Sequence, residues 1–284
     1  MYTAKVTTLL MVVALGIFLM CGSASALKYS IDGDISDWGI DLSYATEVGY
    51  LNGHRPSLPN QNIFTEDNDD TSGDSRQVGP GYSSGNEYDA EAIYFDNDDQ
   101  YGYIAIITGM PKDGWDYYWW NFGPGDIGID VDGANDIAVV DEFYNQNSSY
   151  SANTPYEYAI TMGGELVKVT KWNSVLYTNY GYDISGPYRV NTRDNTFSNI
   201  SFAYSDSPIN AHYVIEAAFL LSDLGLEPGD TFQINWTMGC GNDYVRLERA
   251  RVHTPEPATL LLFGSGLIGL ASVAGKKAKK ERKA

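Results

Sequence analysis

The segment AEAIYFDNDDQYGYIAIIT, residues Ala90–Thr108, contains two apolar runs separated by a polar turn. Ala90–Phe95 predicts one strand and Tyr101–Thr108 predicts its partner. The intervening Asn97-Asp98-Asp99 supplies residue types that favour tight turns. The segment therefore predicts an antiparallel β-hairpin.

The same pattern recurs along the chain. Tyr156–Met162 and Glu165–Thr170 flank Gly163-Gly164, which is typical of a two-residue hairpin turn. Tyr213–Leu220 and Thr231–Thr237 predict two further strands. The 22 tyrosines also favour pleated, half-buried surfaces. The sequence therefore predicts an all-β fold, an antiparallel β-sandwich of the jelly-roll or immunoglobulin-like type, with a closed barrel as the main alternative.

Two stretches interrupt this pattern. Leu51–Ser84 contains few apolar residues, and Tyr144–Pro155 (YNQNSSYSANTP) is rich in Asn and Ser. Both are predicted to be long polar surface loops, and neither marks a domain boundary. We expect Leu27–Thr254 to form a single secreted domain.

The N-terminus has the three parts of a secretory signal peptide. Lys5 makes the first residues basic, Leu9–Met20 is apolar, and Ala24-Ser25-Ala26 supplies small residues for a peptidase. Residues 1–26 are therefore predicted to be removed. The mature chain then keeps Cys240 alone, so it has no pair of cysteines for an internal disulfide.

The charge is concentrated in the middle of the chain. The whole sequence has 18 basic and 37 acidic residues, and residues 27–254 carry 11 and 35 of them, a net charge of −24. Such a surface repels nucleic acid and anionic lipid, so no nucleic-acid partner is expected. It suits an extracellular protein in contact with divalent cations, or it serves solubility alone.

The chain ends in TPEPATLLLFGSGLIGLASVAGKKAKKERKA. Pro255, Glu256 and Pro257 precede an apolar segment, Ala258–Ala274, and a basic tail at residues 276–284. This order resembles the PEP-CTERM sorting signal, here residues 255–284. The resemblance implies recognition of Pro-Glu-Pro by exosortase, a membrane-embedded, transpeptidase-like enzyme of Gram-negative bacteria. It also implies cleavage there and delivery to the cell surface or the exopolysaccharide matrix.

The apolar segment is short for a permanent membrane span. As a helix, 17 residues measure about 25 Å, against about 30 Å for a typical hydrocarbon core. The basic tail holds its end in the cytoplasm. We expect transient anchoring in the inner membrane through this C-terminal helix, with a permanent anchor as the alternative.

Three segments of the middle resemble family-nine-like carbohydrate-binding modules and DOMON-like β-sandwich domains, and a fourth resembles the end of this domain in PEP-CTERM proteins. IDGDISDW (Ile31–Trp38) resembles their opening strand, and Tyr88–Ile106 resembles the hairpin that follows. Tyr213–Asp230 resembles a late strand and loop, and WTMGCGND (Trp236–Asp243) resembles the end of this domain in PEP-CTERM proteins. The resemblance implies a sandwich that binds an exopolysaccharide or another glycan.

The densest candidate for sugar contact is GWDYYWWNF, residues 114–122. Aromatic faces pack against the C–H patches of sugar rings, and the candidate contacts are Trp115, Tyr117, Tyr118, Trp119 and Trp120. If the segment is extended, Trp115, Tyr117 and Trp119 point one way, and Tyr118, Trp120 and Phe122 the other. Packing in a core is the rival use of these side chains. The remaining tryptophans are predicted to be structural: Trp38, Trp172 and Trp236.

The acidic runs raise the possibility of structural calcium. Calcium binds six to eight oxygen ligands, many of them carboxylates in loops. Asp130, Asp132 and Asp136 lie close in sequence, and Gly133 permits a tight bend between them. The spacing does not match an EF-hand, and solvated turns also explain such runs.

Signals for catalysis are weak. The chain has three histidines, and it contains no HExxH, nucleophile elbow or phosphate-binding loop. We therefore expect a protein that is not an enzyme. Three functions stay open: glycan binding, a structural or adhesive surface role without a defined sugar site, and, more remotely, glycoside chemistry.

Overall fold

The computed structural model describes residues 27–44, 62–65, 86–117, 119–140, 152–175, 186–197, 200–241 and 243–254. The predicted signal peptide, residues 1–26, and the predicted sorting signal, residues 255–284, lie outside these ranges. Among the described residues, no helix is both long enough and apolar enough to span a bilayer.

Strands dominate this part of the chain, which confirms the predicted all-β class. Fifteen of them are described: β1 (Asn62–Thr65), β2 (Ala90–Asn97), β3 (Tyr101–Thr108), β4 (Trp115–Tyr117), β5 (Trp120–Phe122), β6 (Ile127–Asp130), β7 (Ile137–Val140), β8 (Ala152–Thr154), β9 (Tyr158–Ile160), β10 (Leu166–Asn173), β11 (Arg189–Phe197), β12 (Ser201–Tyr204), β13 (Tyr213–Leu220), β14 (Thr231–Thr237) and β15 (Tyr244–Arg251). The described helices are short 3-10 turns: Ile35–Trp38, Leu42–Tyr44, Asn86–Tyr88 and Leu221–Asp223.

The first sheet is built around the hairpin predicted at Ala90–Thr108. Its strand order is β1-β2-β3-β13-β12, and every pair is antiparallel. β3 and β13 pair along their full length, with Tyr101 opposite Leu220 and Thr108 opposite Tyr213. This long, unbroken ladder makes β2, β3 and β13 the centre of the sheet.

The second sheet has the order β15-β14-β6-β9-β10-β7-β8, and β11 also pairs with β10. The predicted hairpin around Gly163-Gly164 is confirmed, because β9 and β10 pair antiparallel across that turn. One pair, β7 with β10, is parallel. The sheet is therefore mainly, but not wholly, antiparallel.

The two sheets share one hydrophobic core. From the first sheet it takes Ile93, Phe95, Ile104, Ile106, Ile215 and Phe219, and from the second Ile127, Ile129, Ile160, Phe232, Ile234 and Trp236. Phe95 and Phe232 meet edge to face, with ring centroids 4.8 Å apart. Full burial of an apolar side chain of this size stabilises a fold by about 1.5–3 kcal/mol, so this core holds the sheets together.

A second cluster covers the other face of the first sheet. The N-terminal segment packs Tyr29 and Trp38 there, their rings stacked with centroids 4.1 Å apart, against Tyr94 and Tyr103. As a result every residue of β2 is buried. Burial on both faces explains why this hairpin reads as almost continuous apolar sequence.

The segment IDGDISDW is not the strand that its resemblance implied. Ile35–Trp38 forms a 3-10 helix capped by Asp34, whose Oδ1 accepts a hydrogen bond from the Ser36 N–H at 3.0 Å. Gly33, with φ of +85°, turns the chain into the helix. Hydrogen bonds between a carboxylate and the nearby backbone compete with strand formation, and here they stabilise the 3-10 helix instead of a strand.

The two predicted polar loops each contain a strand. Asn62–Thr65 lies within the first and pairs with β2, and Ala152–Thr154 lies within the second and pairs with β7. β1 pairs with a strand about 30 positions later and β8 with one 13 to 17 positions earlier, and the polar sequence around them indicates neither pairing. The rest of both predicted loops lies outside the described residues, apart from Pro155.

Candidate functional site

The aromatic segment folds as a separate hairpin beside the two large sheets. β4 and β5 pair antiparallel, with Trp115 opposite Phe122 and Tyr117 opposite Trp120. The hairpin is anchored by Phe122, which is 1% exposed and meets the Tyr88 ring edge-on at a centroid distance of 6.2 Å. One buried aromatic therefore ties an otherwise peripheral hairpin to the core.

The chain reversal corrects the predicted side-chain directions. Directly opposed residues of an antiparallel pair carry their side chains on the same face. Trp115 and Trp120 therefore share a face with each other and with the buried Phe122, whereas a single extended strand would have put Trp115 and Trp120 on opposite faces. The side chains of Tyr117 and Tyr118 are not described.

Three tryptophans of this hairpin are exposed. Trp115 is 43% exposed, Trp119 83% and Trp120 38%. By contrast, Trp38, Trp172 and Trp236 are all 0% exposed, and their indole N–H groups donate to Glu216, Tyr156 and Gly125 respectively. The prediction that these three are structural is confirmed, and the exposed tryptophans all belong to the hairpin.

The polar residues of the hairpin lie on its other face. Asp116 is opposite Asn121, and the Asn121 amide donates a hydrogen bond to Asp116 Oδ1 at 2.9 Å. Both side chains are exposed. The hairpin thus presents an aromatic face and a hydrogen-bonding face.

A second candidate site is a cluster of three carboxylates. One carboxylate oxygen from each of Asp130, Asp132 and Glu157 lies within 4.8 Å of the others. β6 pairs with β9, with Ile129 opposite Tyr158, so Asp130 is carried next to Glu157. Asp136 is exposed and is not a member of this cluster, although the sequence grouped it with Asp130 and Asp132.

Burial governs the electrostatics of the cluster. Glu157 is 8% exposed, and desolvation raises its pKa to about 7; the hydrogen bond from the Val131 N–H opposes this shift, and the charges of Asp130 and Asp132 add to it. Burial also raises the pKa of Asp130, against the hydrogen bonds that its carboxylate accepts from the Gly133 and Asp132 N–H groups. The three acids therefore repel one another when all are ionised.

The described residues also line cavities away from these two sites, and two of them are notable. One, of about 560 Å³, is lined by Asp126, Arg189 and Arg193 among others, and the second, of about 480 Å³, lies beside the β2–β3 turn. Asp126 is buried and accepts hydrogen bonds from Met162 N at 2.8 Å and Val190 N at 2.9 Å. It joins the β9–β10 turn to β11, which is a structural role.

Comparison with known families identifies the C-terminal segment. Residues 253–277 match the PEP-CTERM protein-sorting motif. No curated protein matches the chain. The motif implies that the protein is processed by exosortase and directed to the cell surface, as the C-terminal sequence predicted. The expected recognition residues Pro255, Glu256 and Pro257 lie outside the described residues.

Proposed function

We propose that this protein is a non-enzymatic component of the cell surface or exopolysaccharide matrix that binds glycan through the β4–β5 hairpin. Its two sheets would be the layers of a β-sandwich, since they share one core. Pro255, Glu256 and Pro257 would be the residues that exosortase recognises, and the C-terminal helix would hold the precursor in the inner membrane until cleavage.

The observation that carries the proposal is the partition of the six tryptophans. Three are wholly buried, and the three on the hairpin are 38% to 83% exposed. Tryptophan is among the residues that proteins bury most completely on average, so three exposed indoles within six residues favour a binding surface. Trp115 and Trp120 share a face, which suits stacking against the C–H faces of sugar rings.

The position of the hairpin supports the same function. The sorting motif begins at His253, whose N–H donates to Asn97 Oδ1 at 2.7 Å and whose carbonyl accepts from Asn97 Nδ2 at 3.0 Å. Asn97 ends β2 beside the start of β3, and Thr108 at the other end of β3 lies about 23 Å further along that strand, at about 3.3 Å per residue. The hairpin follows Thr108, and Phe122 packs on Tyr88, which precedes β2 at the same end. The aromatic face therefore lies at the end of the first sheet opposite His253, where the sorting motif begins.

The other two functions differ in what they require. A purely adhesive surface protein would use the same exposed indoles against protein or abiotic surfaces, without selectivity for sugar. A glycoside-active enzyme would need a carboxylate pair open to a substrate. Glu157 is only 8% exposed, so a polysaccharide cannot readily reach it, which disfavours a role as general acid.

Binding is tested by retention of the full-length chain, purified in nonionic detergent, on polysaccharide from the cells that make it. Trp119→Ala and Trp120→Ala should each weaken retention by about two- to tenfold, because one aromatic contact contributes about 0.5–1.5 kcal/mol. Their melting temperatures should stay close to that of the wild type. Binding to cellulose and to bovine serum albumin on the same support measures selectivity.

Trp236→Ala is the matched control, because it removes the same side chain from the core. We expect it to lower the free energy of unfolding by about 3–5 kcal/mol. Equal retention of the wild type and both hairpin variants would rule out this glycan site. Equal losses on polysaccharide and on albumin would favour the adhesive function instead.

A further inference from the structure

In each of the three carboxylates of the cluster, one oxygen accepts no hydrogen bond from a described protein group. Asp130 Oδ1 accepts the Gly133 N–H at 2.6 Å and the Asp132 N–H at 3.2 Å, and Asp132 Oδ1 accepts the Ala134 N–H at 2.7 Å. Glu157 Oε1 accepts the Val131 N–H at 2.8 Å. One oxygen of each carboxylate is occupied, and the described hydrogen bonds leave the second oxygen of each available.

Glu157 has a buried carboxylate oxygen that lacks a hydrogen bond from any described residue, which a cluster of exposed acidic residues would not have. Its Oε2 atom is buried and has no hydrogen-bond partner among the described residues. A buried polar oxygen without a partner destabilises a fold by about 1–3 kcal/mol, and more if it is charged. The charges of Asp130 and Asp132 raise the pKa of Glu157, so three acidic groups meet at this site.

The dimensions fit a calcium ion. Calcium–oxygen bonds measure about 2.3–2.6 Å, so two oxygens on opposite sides of one ion lie about 4.6–5.2 Å apart. One oxygen of each carboxylate lies within 4.8 Å of the others, so the three side chains can share one ion without movement of the strands. Magnesium binds at about 2.0–2.1 Å in near-ideal octahedral geometry and usually keeps several of its waters, so we expect three protein carboxylates to favour calcium.

We propose that Asp130, Asp132 and Glu157 bind one calcium ion, with Glu157 contributing its buried Oε2 and Asp132 lying on the solvent side. The site joins the end of β6 to the residue that precedes β9, so the ion stabilises the second sheet at that end of these two strands. Water or further oxygen atoms complete the coordination.

The test uses the full-length chain in nonionic detergent, freed of metal with EGTA. Thermal unfolding is followed without metal, with 10 mM CaCl₂ and with 10 mM MgCl₂, about a hundredfold above the stronger affinities of extracellular calcium modules. We expect calcium to raise the melting temperature by about 5–10 °C and magnesium to raise it much less. Equilibrium dialysis with ⁴⁵Ca²⁺ then gives the number of ions bound.

The Glu157→Gln variant keeps the acceptor for the Val131 N–H and removes the charge, so it should fold and lose the calcium shift. Asp132→Asn, at an exposed position, should lose most of it and gives an independent reading. The matched control is Glu227→Gln, the same change at an exposed residue, which should respond like the wild type. Absence of bound calcium in the wild type, or normal calcium binding by Glu157→Gln, would overturn the proposal.

Discussion

At the scale of single residues, Glu216 on β13 fixes the N-terminal segment to the first sheet. It is 0% exposed; its Oε2 accepts the Gly33 N–H at 2.7 Å and the Asp32 N–H at 3.2 Å, and its Oε1 accepts the Trp38 indole N–H at 3.0 Å. These donors come from residues more than 170 positions earlier in the chain. One carboxylate therefore explains why IDGDISDW curls over the sheet instead of pairing with its edge.

Replacing Glu216 with Ala should lower the free energy of unfolding by about 3–5 kcal/mol, because it leaves buried donors unpaired and opens a cavity. The control is Glu165→Ala, which removes a partly exposed glutamate paired with Arg193 and should change the free energy by less than about 1 kcal/mol. Urea unfolding of the two variants measures both values. Similar, small changes in both would show that the segment is held by other contacts.

At the scale of elements, the sequence predicts those strands whose neighbours are local or whose two faces are buried. β13 and β14 have the bounds predicted for them, and the β2–β3 hairpin was correctly located by its turn. β15 was missed because YVRLERAR carries four charges, although Val245, Leu247 and Ala250 are buried. Its register with β14 includes a bulge, which breaks the simple alternation.

Each candidate site likewise has a part that the sequence indicates and a part that only tertiary structure creates. The aromatic composition of the hairpin was evident from the sequence, but its exposure depends on tertiary packing such as that of Phe122 on Tyr88. Two of the three residues of the carboxylate cluster, Asp130 and Asp132, were already grouped by the sequence, together with Asp136, which lies outside the cluster. Glu157 was missed because it lies 25 positions beyond Asp132, and strand pairing alone brings them together. Its one signal is an acidic residue between two tyrosines at the start of a predicted strand.

The β4–β5 hairpin depends on Gly114, which begins it with φ of +80°. A Cβ there would lie 2.6 Å from the Phe122 carbonyl oxygen and 2.7 Å from Asn121 Oδ1. Gly114→Ala should therefore destabilise the hairpin by about 1–3 kcal/mol more than backbone strain alone, and it should weaken polysaccharide retention.

The control for Gly114 is Gly225→Ala. Gly225 has φ of +68°, and its added Cβ would meet nothing within 4 Å, so this variant carries the strain without the clash. Hydrogen exchange of the hairpin amides compares the two variants. Equal protection of those amides in both would contradict a special role for Gly114.

At the scale of the whole molecule, several buried acids share one pH response. Burial raises the pKa of Glu157 and of Glu216 to about 7, and it also raises the pKa values of Asp126 and Asp130. A raised pKa means that the folded state binds protons more tightly than the unfolded state. Stability from these groups is therefore full below about pH 4.5 and is lost as pH rises to about 7.

Without calcium, the melting temperature should fall by several degrees from pH 5 to pH 7 and then level off, as measured in EGTA by circular dichroism. Glu157→Gln should reduce this slope, because it removes one of the responsible groups. Glu227→Gln changes the net charge equally and should not reduce it. A melting temperature that rises over this interval, or equal slopes in both variants, would contradict the assignment.

Both ends of the described chain meet at the β2–β3 turn. Lys28 donates to Asp96 Oδ2 at 2.6 Å, and His253 bonds to the adjacent Asn97. A protein tethered beyond residue 254 and held by its aromatic hairpin would be pulled from opposite ends of the same strands. The mechanical load would then run along β2, β3 and β15. Their interstrand hydrogen bonds would be loaded together in shear and would not break one after another. If the proposed function holds, such an arrangement would resist extension of the protein between its two points of attachment.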